Sequence, residues 1–199
     1  MARTNQTLAQ GVLQDHPLEV QLFHSTGPIT WLWLAIRLWL GWQWVQAGFE
    51  KFQNPKWMDG SALAGFWQGA IKNAAAPHSN VGFDWYAGFL NNLLGSHAQT
   101  WFAPLVAAGE LLAGICLIVG LFTGAAALVA AFMNFNFMLA GSSGVNPVYF
   151  LLGMLLVLAW KNAGWWGLDR FVLPAFGTPW HTGQLFHRAP KPVTIPPEA

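Results

Sequence analysis

Long apolar runs, broken by short glycine-rich or polar punctuation, set the rhythm of this chain. A helix needs about 20 mostly apolar residues to cross about 30 Å of hydrocarbon. The first such run covers residues 28–48, with Trp31 and Trp33 at one end. A longer one begins near Trp101, and from Leu111 to Trp160 it holds no Asp, Glu, Lys, Arg or His. Two breakers divide it, Gly120-Leu-Phe-Thr-Gly124 and Gly141-Ser-Ser-Gly-Val-Asn-Pro147. The spans predicted are therefore 28–48, 101–119, 122–140 and 147–163. Trp160, Lys161, Trp165 and Trp166 close the last one as an interfacial cluster. A soluble helix bundle would need polar faces that these segments lack. The pattern predicts an all-α, polytopic membrane four-helix bundle.

The remaining segments read differently. The connection 50–100 contains Ser61–Lys72 and Phe83–Leu94, in which Phe83, Tyr86, Leu90 and Leu93 recur at helical spacing. These are expected to be short amphipathic helices lying on the bilayer or capping the bundle mouth. Residues 1–27 form a polar arm without the pattern of a signal peptide. A proline-rich tail, 173–199, is expected to be extended, which leaves 28–172 as the transmembrane domain.

Composition strengthens the membrane reading. Charged residues make up 9% of the 199, where soluble domains carry about a quarter. The chain also has 13 tryptophans, a residue that membrane proteins place at the headgroup level. No basic patch points to nucleic acid. The single cysteine, Cys116, excludes an intrachain disulfide and a cysteine-based zinc site. Arg3, Lys161, Arg170, Arg188 and Lys191 outnumber Lys51, Lys56 and Lys72 of the long connection. The positive-inside rule then places both termini in the cytoplasm.

Two ionisable residues fall deep inside predicted spans, Arg37 and Glu110. A charge at the bilayer centre costs at least about 2.5–3.5 kcal/mol, so the two invite a shared solution. Counting residues puts them at similar depths on antiparallel neighbours, each on a stripe of small residues (Gly41 and Gly48; Ala103, Ala107 and Gly114). An Arg37–Glu110 ion pair is expected, either fixing helix register or forming a polar site for a quinone headgroup or proton exchange. On the third span Asn134 is expected to face inward and Asn136 away from it.

All six histidines lie outside the spans, so a bis-histidine haem has no ligands and no metal is expected. His78, Asp84 and His97 are too scattered to make a convincing site. No dinucleotide fingerprint is present. If the protein takes part in redox chemistry, the remaining electron carrier is diffusible, and in a bilayer that is a quinone.

Several motifs occur together in order. They are Arg37 followed by Gly41-Trp-Gln-Trp-Val-Gln-Ala-Gly-Phe-Glu-Lys-Phe-Gln-Asn-Pro-Lys-Trp57, and Gly109-Glu-Leu-Leu-Ala-Gly-Ile-Cys-Leu-Ile-Val-Gly-Leu-Phe-Thr123. Met133-Asn-Phe-Asn-Phe-Met-Leu-Ala-Gly141 with Asn146-Pro147, and Gly167-Leu-Asp-Arg170, complete the set. Over residues 28–185 the chain resembles the DoxX/DoxD family of small four-helix membrane proteins. The DoxD branch implies the large subunit of a thiosulfate:quinone oxidoreductase of prokaryotic cytoplasmic membranes, which turns thiosulfate into tetrathionate beside a small DoxA-type subunit. On that resemblance Arg37 and Glu110 are the candidate catalytic residues. Lys51, Lys56 and Trp57 would meet thiosulfate at the outer mouth, and Trp42, Trp44 and Asn134 would meet quinone. The competing reading is a non-catalytic membrane subunit that docks or stabilises a larger redox or photosynthetic complex. A transporter is disfavoured, because matching halves with interrupted helices are absent.

Overall fold

The computed structural model describes residues 17–75 and 83–177. Among these residues every regular element is helical. A short α1 (Pro17–Glu19) continues into a π-helical turn, Val20–His24, and is followed by α2 (Ile29–Gln53). The connection holds α3 (Pro55–Met58), α4 (Ser61–Ala74) and α5 (Asp84–Gly95). Next come α6 (Gln99–Val119), α7 (Thr123–Leu139) and α8 (Asn146–Leu158), then α9 (Trp160–Ala163), α10 (Asp169–Val172) and a 3-10 turn, Leu173–Phe176.

Helix ends follow local chemistry. Asn54 Oδ1 accepts from the Lys56 N–H at 3.0 Å, with Pro55 opening α3, where its missing N–H is harmless. Asp59 Oδ1 accepts from Ser61 N at 2.7 Å at the start of α4, and the Ser61 hydrogen bonds hold its carboxyl below the ordinary range. Gly120 ends α6 in the left-handed region (φ 69°), and Leu121 N–H closes a 2.9 Å bond back to the Cys116 carbonyl.

Alanines make up much of the core between the helices, beside large residues such as Leu40, Trp44 and Leu117, and large apolar side chains also cover the outer surface. Ala103, Ala107, Ala127, Ala130 and Ala131 are buried, while Trp39, Leu112, Leu128, Phe132 and Leu151 are exposed. Water would penalise that arrangement, whereas lipid does not, and backbones that approach closely gain dispersion contacts. The α2–α6 pair shows how close. A Cβ on Gly41 would lie 2.9 Å from the Gly114 carbonyl oxygen, and one on Gly48 would lie 2.7 Å from Leu111 N. Gln99–Val119 is long and apolar enough to cross a bilayer, and α7 and α8 are shorter apolar helices.

Three boundaries differ from expectation. The first helix passes Gly48 and runs to Gln53, which carries Glu50 and Lys51 out of the loop and onto its last turn. The last apolar helix stops at Leu158, because the backbone turns at Ala159 (ψ 14°) before the separate turn α9. Leu173–Phe176 are a 3-10 turn instead of extended chain, and the tail beyond 177 lies outside the described residues. Helices α4 and α5 do not lie free. Leu63, Trp67, Tyr86 and Leu90 pack with Ala103, Leu139 and Ala140 at one end of the bundle. Tyr86 Oη donates to the Asn136 carbonyl at 3.1 Å, and burial pushes its phenol up to about 12, so it stays a donor.

Candidate functional site

A cavity of about 280 Å³ sits at the end of the bundle beneath α3 and α4. Helix α2 contributes Gln43, Trp44, Ala47 and Lys51; positions 43, 47 and 51 share one face because they are four residues apart. Glu110 comes from α6, Asn134 and Phe137 from α7, and Asn146 and Tyr149 from α8, while Trp57 and Phe66 close the mouth.

At its centre Lys51 Nζ stands 2.7 Å from Glu110 Oε2. The ammonium is partly exposed (21%) and the carboxylate is 1% exposed, so the pair spans the boundary between cavity and interior. The contact is a close ion pair; its alignment is poor for a hydrogen bond. The Trp57 ring lies 5.0 Å from the same ammonium and is anchored by its Nε1 donating to the Ala103 carbonyl at 2.9 Å. Gln43 Nε2 donates to Tyr149 Oη at 2.7 Å, and Asn134 Nδ2 donates to the Asn146 carbonyl. Asn146 in turn donates to Ser142 O and Oγ at 2.8 and 2.9 Å. Besides Glu110 Oε2, which has only the ion pair, two buried polar atoms of the lining residues have no hydrogen-bond partner among the described residues: the Trp44 indole N–H, a donor, and Asn134 Oδ1, an acceptor.

The expected Arg37–Glu110 pair does not form. The tight contacts of Gly41 with Gly114 and Leu117, and of Gly48 with Ala107 and Leu111, fix the antiparallel register. That register sets Arg37 opposite Gly120 and Glu110 near Ala47, about 15 Å apart along the axis. Arg37 belongs to a second cluster at the other end. Its Nη1 donates to the Ala163 carbonyl at 3.1 Å and its Nη2 to the Trp166 carbonyl at 2.7 Å. The buried Asp169 supplies the negative charge that acts on it. That carboxylate accepts from Phe122 N at 2.5 Å and Thr123 N at 2.8 Å, capping α7. Gly120 and Gly167 press against the guanidinium so closely that a Cβ on either would collide with Nη1, at 2.2 and 2.7 Å. These glycines leave no room for a ligand against the guanidinium itself, although Phe122 and Thr123 beside Asp169 line a separate apolar cavity of about 310 Å³.

Of the candidate residues read from the sequence, the cavity gathers Lys51, Trp57, Trp44, Asn134 and Glu110. Lys56 is exposed on α3 and Trp42 is 54% exposed on the outer face of α2, so neither lines it. Gln43, Ser142, Asn146 and Tyr149 were missed. A signal for Gln43 existed in its four-residue spacing from Ala47 and Lys51. His78 lies outside the described residues, and among these no group of three His, Cys, Asp or Glu residues is placed to hold a metal.

The sequence model of the DoxX family matches residues 32–142, more than half of the chain. The chain belongs to the DoxX family. That match spans α2 to the end of α7, so it supplies the Lys51–Glu110 pair, Trp44, Trp57 and Asn134, and it makes the protein a membrane protein. Ser142 is its last residue, which leaves Asn146 and Tyr149 of this DoxX protein's cavity just beyond it. No curated protein and no solved structure matches the chain.

Proposed function

We propose that this DoxX protein is the quinone-reactive membrane subunit of a sulfur oxidoreductase, in which thiosulfate is oxidised to tetrathionate and the electrons pass to quinone. In this reading α2, α6, α7 and α8 cross a prokaryotic cytoplasmic membrane with both termini in the cytoplasm, and the cavity lies toward the outer side.

The observation that carries the reading is that two residues lining one cavity, Trp44 and Asn134, bury an unsatisfied donor and an unsatisfied acceptor beside a buried carboxylate. A quinone has carbonyl oxygens that accept hydrogen bonds, and a quinol has hydroxyls that donate them. Trp44 Nε1 suits the first form and Asn134 Oδ1 the second, so the site recognises both ends of a two-electron, two-proton couple. The Trp44 and Phe137 rings, 6.5 Å apart and 29° from parallel, offer the flat apolar walls that a headgroup needs. Glu110, with Lys51 Nζ as the link to the partly exposed mouth, is the group able to hold or release a proton inside the bundle.

The cavity is a poor place for thiosulfate itself. A dianion needs net positive charge, and the one cation here already faces Glu110 at 2.7 Å. The oxidation of two thiosulfates to one tetrathionate releases two electrons. That half-reaction is assigned to the small DoxA-type subunit, and the reduction of quinone with two protons to this chain.

The test is thiosulfate-dependent quinone reduction in native membranes containing the chain, lacking it, or carrying Glu110→Gln. Loss of activity in both altered membranes, with the variant still inserted, is expected. Undiminished activity on deletion would sink this reading and leave the docking subunit as the alternative.

A further inference from the structure

A second, larger cavity of about 500 Å³ lies between the amphipathic helices and the bundle. Its walls come from Leu63 and Trp67 of α4, Phe89 and Leu90 of α5, Val106 of α6 and Phe132 of α7, among others. Its lining is almost wholly apolar. The polar side chains among its walls include Tyr86 and Asn136, and these already use each other's neighbourhood: the phenol donates to the Asn136 carbonyl, and Asn136 Nδ2 donates to the Phe132 carbonyl. Phe66 and Phe137 line both this cavity and the polar one. The two spaces therefore share a wall of two aromatic rings, with Glu110 and Asn134 on one side of it and their chain neighbours Gly109 and Met133 on the other.

We infer that the apolar cavity holds the isoprenoid chain of the quinone whose headgroup occupies the polar cavity, so that one ligand spans both past Phe66 and Phe137. This rests on the quinone reading above and adds the site of the quinone's tail. The size favours a chain over a ring alone, because the two cavities together far exceed what a headgroup fills. Leaving lipid for an apolar cavity brings no hydrophobic gain, since acyl chains are equally apolar. The benefit is close contact with ordered side chains and a headgroup held at its partners, on the order of tenfold in affinity.

The experiment uses the full chain in lipid nanodiscs. A benzoquinone carrying two isoprene units with a photoreactive diazirine on the chain is cross-linked and the labelled peptides are mapped. Labels on Leu90, Val106 and Met133, competed away by the unlabelled prenylated quinone, are expected. Labels confined to the lipid-facing Leu112 and Leu151 would overturn the inference. So would equal labelling of the cavity by a phospholipid with a diazirine in its acyl chain that prenylated quinone fails to displace. In parallel, dissociation constants are measured for tail-less and prenylated benzoquinone. Wild type should prefer the prenylated form by about tenfold after correction for partitioning, and in Val106→Trp the two should converge. A preference undiminished in Val106→Trp would also overturn the inference. The two readings fail separately. If Trp44→Phe leaves tail-less quinone binding intact while the chain still labels the cavity, the headgroup assignment falls and the tail site stands.

Discussion

The protein buries charge at both ends of one helix bundle, and the two ends treat it in opposite ways. Arg37 and Asp169 are surrounded: carbonyls of Ala163 and Trp166, N–H groups of Phe122 and Thr123, and the backbones of Gly120, Gly164 and Gly167 occupy the space around them. Lys51 and Glu110 meet beside a cavity of about 280 Å³, two of whose lining residues keep a buried donor and a buried acceptor unused. A buried charge pressed on by backbone fixes geometry, even though Arg37 Nε and Thr123 Oγ1 there lack hydrogen-bond partners among the described residues. A buried charge beside empty, polar-lined space is available for chemistry. The first end ties α2 to the loop after α8 and to the start of α7, and so holds three elements in register. The second end depends on that register but does not create it.

The largest effect should come from breaking the closed end. Arg37→Met leaves two carbonyls and the Asp169 carboxylate uncompensated in the interior, a loss of about 3–5 kcal/mol. Thermal unfolding in detergent should show a much lower midpoint, while the protein that remains folded keeps its quinone reduction rate. At the open end the order reverses. Glu110→Gln keeps size and shape, and Lys51 is exposed enough to remain solvated, so the unfolding midpoint should move little. Quinone reduction should fall about a hundredfold, the usual contribution of a positioned proton-transfer group. If Arg37→Met removed activity without loss of stability, or Glu110→Gln unfolded the protein, the contrast between the two ends would be wrong.

Asp169→Asn sharpens the comparison further. The amide retains one acceptor for the Phe122 and Thr123 N–H groups but lacks the charge that caps α7 and balances Arg37. A loss of about 2 kcal/mol is expected, smaller than for Arg37→Met, again with activity per folded molecule preserved. Phe122 gives an independent readout. It sits at φ 48°, a conformation a bulky residue adopts only when its surroundings insist, and the Asp169 bond is part of that insistence. Local hydrogen exchange at the Phe122 and Thr123 amides should therefore quicken in this variant before global unfolding does.

Much of this was visible in the pattern of residues, for reasons that differ by feature. The apolar runs and their breakers marked where helices α2, α6, α7 and α8 lie, because lipid selects length and hydrophobicity directly. The depth of Arg37 and Glu110 was visible too. Their partners were not, since pairing depends on how far α2 slides along α6, and Gly41, Gly48 and Gly114 decide that by an approach so close that a Cβ would lie under 3 Å from the partner helix. Small residues announce a close approach; they do not announce its register. Asp169 was masked for a related reason. It lies in a short segment between turns, and its role appears only when α10 folds back onto the end of α6, where Asp169 N–H donates to the Gly120 carbonyl at 2.7 Å. The end of α2 was misjudged because Glu50 and Lys51 look like a loop start, whereas the helix continues to Gln53.

That last turn of α2 supplies the smallest and most discriminating prediction. Lys51 and Lys56 are five residues apart and looked equivalent as cations at the outer mouth. The helix carries Lys51 onto the face shared with Gln43 and Ala47, where it reaches Glu110. The break at Asn54 and the new start at Pro55 turn Lys56 outward, and it is exposed. Lys56→Ala should therefore change stability by less than about 0.5 kcal/mol and leave quinone reduction unaltered. Lys51→Ala should lower quinone reduction at least tenfold, because Glu110 loses its ion-pair partner and the link to the mouth. Assayed side by side in native membranes, equal and large losses would mean that both cations serve an incoming anion. Thiosulfate would then belong at this mouth, and the division of labour with a small subunit would have to be redrawn.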